Sequence, residues 1–237
     1  MTKTAKTKPF KNLAETLWDI ADKDAKPLEA AIFNTMRILK AINPGDCYLE
    51  NYIGMKAKYG KEFYDTYQLI WTIGLHLAPK RILEIGTRTG ISLCQLLSAH
   101  SDRKAIEKIV CVDPFDQWTS ANLVRANLRY LNLVDESTKA MIHPVKSDQF
   151  YKTVGAETFD YILVDGDHTK EVAREDLENA SKLIEPCCGI IVFDDISTAP
   201  GECALIDMWE DFEKCHKDEF WFHKNMNGKG VAFAIKR

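Results

Sequence analysis

Five carboxylates in this chain stand where chemistry is expected, in or just after short apolar runs. Glu84 lies within Ile82-Leu-Glu-Ile85, Asp113 follows Ile109-Val-Cys-Val112, Asp165 follows Tyr161-Ile-Leu-Val164, and Asp194 with Asp195 follows Ile190-Ile-Val-Phe193. One such acid would mean little, because Asp commonly caps the next helix or turn. Acids at four of the first five expected strands point to a shared site at one end of a sheet. On adjacent strands, Asp165, Asp194 and Asp195 would raise one another's pKa unless a cation or hydrogen bonds compensate. Hard oxygen ligands of this kind suit Mg²⁺ or another divalent cation such as Ca²⁺. The alternative is that Asp194 and Asp195 are loop caps and hold no metal. His168, three residues past Asp165, can titrate near neutral pH and take a proton from a hydroxyl. Equally, it can begin the helix that follows and only orient Asp165 or Asp167.

The turn after Glu84 reads Gly86-Thr-Arg-Thr-Gly90 and leads into an apolar helical pattern. Its glycines permit positive φ or close backbone approach, and the new helix offers free N–H groups to an anion. It lacks the three-glycine dinucleotide fingerprint and the Gly-Lys-Ser/Thr ending of a phosphate loop. An acid just before the turn argues against a triphosphate and for a ligand with hydroxyl or ammonium donors. Asp113, at the end of the second strand, can accept hydrogen bonds from ribose hydroxyls.

The elements that must position these residues follow from periodicity. Strands are expected at 81–85, 108–113, 141–145, 159–165, 189–194, 219–223 and 231–235, with helical patterns such as 120–131 and 169–184 between the first five. Near-continuous apolar strands suit a sheet covered on both faces. The turn-rich stretch 225–230 joins the last two strands as a hairpin. The expected fold class is therefore α/β: a doubly wound, mostly parallel seven-stranded sheet with a C-terminal antiparallel hairpin, preceded by N-terminal helices. Helices are expected at 12–22, 27–40 and from Phe63 to near Pro79, while the segment up to Tyr59 reads as loop with some order. Residues 1–60 are expected to form a tail and helical cap or dimerisation arm rather than an independent domain, with residues 61–237 as the sheet domain.

Glu84-x-Gly86-x-x-x-Gly90, Asp113, Val164-Asp-Gly-Asp-His168 and Phe193-Asp-Asp195 together resemble the class I S-adenosylmethionine-dependent methyltransferases. The likeness is to small-molecule O-methyltransferases: the catechol type, and a related group whose fourth strand ends Asp-Gly-Asp-His, near macrolide-sugar methyltransferases and cephalosporin-hydroxylase-like proteins. It runs from about Phe63 to the C-terminus and implies a Rossmann-like methyltransferase fold. The resemblance implies S-adenosyl-L-methionine as cofactor, with Glu84, Gly86, Thr87 and Gly90 about its methionine end and Ser92 on its carboxylate. Asp113 would hold the ribose, Pro114 and Phe115 would lie near the adenine, and Ser147 and Asp148 would meet the adenine amino group. Asp165 would then serve cofactor, catalysis and metal, the metal ligands being Asp165, Asp194 and Asp195. Three departures stand out: His168, the candidate base, where the catechol type carries lysine, Asp195 where Asn is frequent, and Pro186-Cys-Cys-Gly189 where Pro-Gly-Gly is usual.

With 237 residues, 46% of them hydrophobic, the chain can bury a substantial core. A net charge of −4 lacks the electrostatic footprint of a nucleic-acid partner. No apolar run is long enough to span a bilayer, and no signal-peptide core is evident, so a cytoplasmic protein without a membrane partner is expected. Seven cysteines, an odd number without zinc-ligand spacing, are expected mostly as free thiols. The expected function is methyl transfer to a hydroxyl of a small-molecule acceptor, assisted by a divalent cation. Homo-oligomer formation would run through the N-terminal helices. Competing readings are a metal-independent O- or N-methyltransferase, a cephalosporin-hydroxylase-like activity, and a non-catalytic domain on the same fold.

Overall fold

Alternation along each strand sorts the side chains into two cores, and this places everything else. In β1 (Arg81–Ile85), Ile82 faces one core while Leu83 and Ile85 face the other. The same parity holds in β2 (Lys108–Val112), β4 (Tyr161–Val164) and β5 (Ile190–Asp194). The structure, a computed structural model, describes residues 25–42, 48–59, 66–115, 120–134, 140–199 and 203–237. With β3 (Ala140–His143), β6 (Phe220–Asn225) and β7 (Val231–Lys236), the strands form one seven-stranded sheet in the order β3-β2-β1-β4-β5-β7-β6. The first five are parallel, and β7 runs antiparallel between β5 and β6. This is the expected Rossmann-like methyltransferase fold. The strand order reverses between β1 and β4, where doubly wound sheets open a crevice.

One face is covered by α1 (Ala25–Ile42), α3 (Thr66–His76), α4 (Ile91–Ala99) and α5 (Ala121–Tyr130). The other is covered by the short α6 (Ser147–Tyr151), α7 (Lys170–Leu183) and α8 (Ile206–His216). Helix α1 buries Ile32, Met36 and Leu39 in the same core as the sheet. Ser120 caps α5, its hydroxyl accepting from the Leu123 N–H at 3.1 Å.

Some expected boundaries shift. Residues 48–59, expected as loop, form helix α2 (Tyr48–Tyr59), held beside α1 by a 3.1 Å Lys40–Glu50 ion pair and by Leu49 packing on the core. Its sequence has no one-sided apolar stripe, so periodicity does not announce it. The fourth strand is shorter than expected: Phe159 makes only an isolated bridge to Ile184, and Asp165 lies just past the last paired residue. The sixth runs on to Asn225. The helix expected at 12–22 lies outside the described residues, as do Phe63 and Trp118.

Candidate active site

A cavity of about 1390 Å³ opens at the carboxyl ends of β1, β2, β4 and β5. It exceeds the ~300–1,000 Å³ typical of a single-ligand pocket, so it has room for two. Its first wall is the turn between β1 and α4. Gly86 has φ 85°, and a Cβ there would lie 1.8 Å from the Asp165 carbonyl oxygen; only glycine lets these two strand ends pack. The Gly86 N–H donates to the Val112 carbonyl at 2.9 Å, and Gly90 closes the turn by donating to the Thr87 carbonyl at 2.7 Å. Gly90, at φ 76°, is itself the N-cap of α4. Ser92 is therefore the second residue of the helix rather than its cap, and it lines the cavity with Gly86 and Thr87.

Asp113 lies just past β2 and ties two loops together. Its Oδ2 accepts from the Arg88 N–H at 2.8 Å, and its Oδ1 accepts from the Phe115 N–H at 2.7 Å. An ionised carboxylate has about four acceptor positions, so two stay available toward the cavity that Asp113 and Pro114 line. Across from them lie Ser147 and Asp148 at the start of α6. Three of the expected cofactor residues, Glu84, Gly90 and Phe115, do not line the cavity. Phe115 packs against the first core. Glu84 is 2% exposed with Oε2 unpartnered, and burial, then the Asp165 charge, holds its carboxyl well above the usual range.

On the same cavity Asp165, Asp194 and Asp195 converge, one oxygen from each lying within 4.8 Å of the others. At about 4 Å, like charges repel by roughly 4 kcal/mol at an effective dielectric of 20. Burial raises all three pKa values, and each is raised further by a neighbouring acid. Three groups answer this charge. The Lys229 ammonium sits 2.7 Å from Asp195 Oδ1 and 3.9 Å from Asp194 Oδ2. Thr66, at the start of α3, donates its hydroxyl to Asp194. His168 Nε2 lies 3.3 Å from Asp195 Oδ2 and 3.6 Å from Asp165 Oδ1, and its hydrogen bond to Asp165 raises its pKa. On the other side of the ring, Cys203 Sγ is 3.0 Å from His168 Nδ1.

Lys229, Thr66 and Cys203 are absent from the expectations. Only Lys229 left a signal, a cation between Gly228 and Gly230 in the turn before the last strand; nothing in the sequence says that this strand pairs with β5. Asp167 accepts from the Thr169 N–H at 2.8 Å, near the N-terminus of α7. Trp209 and Phe212 lie in the second core, 0% and 3% exposed, and do not line the cavity. The cavity roof includes Glu50, Gly54 and Lys58 of α2 and Tyr67 of α3.

Residues 83–196 match a family model described as a methyltransferase domain. A search of curated proteins gives no match. Among solved structures, the chain is similar to the O-methyltransferase from Bacillus cereus in complex with S-adenosylhomocysteine: TM-score 0.57, 17% identity, 88% of this chain and 91% of that one covered. It is also similar to TomG from Streptomyces achromogenes in complex with S-adenosylmethionine: TM-score 0.53, 17% identity, 77% and 86% covered. A third is the S-adenosylhomocysteine-bound methyltransferase PaMTH1 from Podospora anserina: TM-score 0.53, 17% identity, 81% and 88% covered. The matched stretch runs from within β1 to just past β5 and holds Glu84, Asp113, Asp165, Asp194 and Asp195, and the fold is that of the class I methyltransferases.

Proposed function

We propose that the chain transfers a methyl group from S-adenosylmethionine to a hydroxyl of a small molecule. The observation that carries this is one cavity lined both by Gly86, Thr87, Ser92 and Asp113 and by the acidic cluster with His168. Bound there, the cofactor supplies an electrophilic methyl on a sulfonium. Asp113 accepts from the ribose hydroxyls with the oxygens' remaining lone pairs. The N-terminus of α4, where Ser92 is the second residue, turns its first-turn backbone N–H groups toward the methionine carboxylate. Ser147 and Asp148 meet the adenine side. His168 accepts the proton of the acceptor hydroxyl, and the half-closed cavity keeps bulk water from the methyl group.

A divalent metal is the other group the fold family implies. The donor set has the right chemistry, three carboxylates close together, but a lysine ammonium already lies on two of them. The cluster as it stands does not fit a hydrated Mg²⁺, and no step is routed through one.

Incubation with methyl-labelled S-adenosylmethionine and a panel of phenols and sugar alcohols tests the proposal. Expected is label in an alkali-stable, ether-linked product, with turnover at neutral pH falling at least about tenfold in His168→Gln. Cofactor that binds without any label reaching an acceptor of either class would refute the assignment.

A further inference from the structure

We propose that Lys229 is the resident cation of the Asp165–Asp194–Asp195 cluster, occupying the place a divalent metal would take and presenting its ammonium to a single acceptor oxygen. The placement is built into the backbone. Lys229 lies in the turn between β6 and β7, flanked by Gly228 at φ 65° and Gly230 at φ 76°. A Cβ on Gly230 would come within 2.6 Å of the Ser197 nitrogen, so the turn lies flush on the segment that follows β5. The Ser197 N–H donates to the Lys229 carbonyl at 2.8 Å, and the Ile196 N–H donates to the Gly230 carbonyl at 3.3 Å. Val231, the next residue, pairs with Asp194 in the sheet. Sheet register and turn together hold the lysine stem against two of the acids.

The side chain is set for this role. Its ammonium is an ion-pair partner of both Asp194 and Asp195, and the side chain, 39% exposed, lines the cavity with His168. Burial opposes its charge, but the three carboxylates outweigh that and push its pKa upward, so the ammonium keeps its proton. Mg²⁺ demands near-octahedral oxygen ligation at about 2.0–2.1 Å. An ammonium 2.7 Å from Asp195 Oδ1 competes for that oxygen and repels an entering dication.

The consequence for the acceptor rests on the methyl-transfer proposal; the exclusion of metal does not. A divalent ion can gather two neighbouring oxygens, whereas an ammonium donating one hydrogen bond polarises one. The substrate class is therefore a molecule with a single reacting hydroxyl, with no adjacent oxygen required. In the transfer the C–S bond breaks and its electron pair stays on sulfur, which becomes a neutral thioether. The new C–O bond forms, the hydroxyl proton passes to His168, and Lys229 keeps its own protons.

Mn²⁺ titration followed by electron paramagnetic resonance, on the whole chain without cofactor or acceptor, tests the metal exclusion independently of any methyl transfer. Wild type is expected to bind no stoichiometric Mn²⁺ at millimolar concentration. Lys229→Met, which keeps the stem and removes the charge, is expected to bind one Mn²⁺ at least about tenfold more tightly, and adding Asp194→Asn is expected to abolish the gain. Wild-type binding of one Mn²⁺ that Asp194→Asn removes would overturn the proposal. So would a folded Lys229→Met that binds no better than wild type. If Lys229→Met does not fold, the wild-type titration alone decides. A failed cofactor titration would bear on the methyl-transfer proposal and leave these outcomes readable.

Discussion

At the scale of single residues, the site depends on close approach and on buried charge. Gly86→Ala would place a Cβ 1.8 Å from the Asp165 carbonyl oxygen at a positive φ, a steric and a conformational penalty together. Urea denaturation should show a loss of about 3 kcal/mol or more, and a variant within about 0.5 kcal/mol of wild type would refute the packing described. Asp176 gives a second test. It is 1% exposed on α7, near Ser147 and Tyr151, and burial pushes its carboxyl up to about 7. Because the folded-state value lies above the unfolded one, the protonated form favours the fold at low pH. That contribution is lost as pH rises through about 7. Melting temperature should fall between about pH 4 and pH 7 more steeply in wild type than in Asp176→Asn; parallel curves would contradict this. The acids Asp113, Asp165, Asp194 and Asp195 were readable in the sequence because each follows an apolar strand, and strand ends share one rim of the sheet. Glu84 was readable as buried chemistry but not as lying behind the cavity wall. Thr66 was not readable, and Lys229 only as a cation in a glycine turn, because each reaches Asp194 from an element distant in sequence.

At the scale of elements, the loop before β5 carries an unusual strain. Cys187 and Cys188 both adopt positive φ, 77° and 75°, and both are exposed free thiols with sulfurs 3.6 Å apart. Left-handed backbone costs an L-residue roughly 1–2 kcal/mol, partly offset by the entropy glycine loses on folding. Cys187→Gly or Cys188→Gly should each stabilise the fold by about 0.5–1 kcal/mol in denaturant melts; destabilisation by either would contradict the strain. The departure from Pro-Gly-Gly was plain in the sequence, but its conformational cost needed the φ values. Strand and helix alternation from Arg81 onward was legible because period-2 and period-3.6 patterns are strong there. Helix α2 was not, since Tyr48–Tyr59 lacks an apolar stripe and is held by its neighbours. Residues on the rim of a cavity carry no periodicity by which to find them.

At the scale of the whole molecule, the cavity opens where the strand order reverses. The N-terminal helices share the first core and reach the cavity through Glu50, Gly54 and Lys58. We infer that residues 25–42 and 48–59 act as a cap over the cavity rather than as a separate domain. On the proposed function, a cofactor in this cavity would meet the turn after β1, the end of β2 and the start of α6, and so link both layers. The melting temperature should therefore rise with S-adenosylmethionine concentration, the stabilisation reaching about 2.7 kcal/mol at a hundredfold excess over Kd. The most direct measurement is isothermal titration of the whole chain with S-adenosylmethionine, beside an Asp113→Asn variant whose folding is verified by its melting curve. Expected is binding at one site per chain in wild type, weakened at least about tenfold in the variant by loss of the ribose acceptor. No heat from wild type, or equal affinity in both proteins, would contradict a cofactor held at the carboxyl end of this sheet.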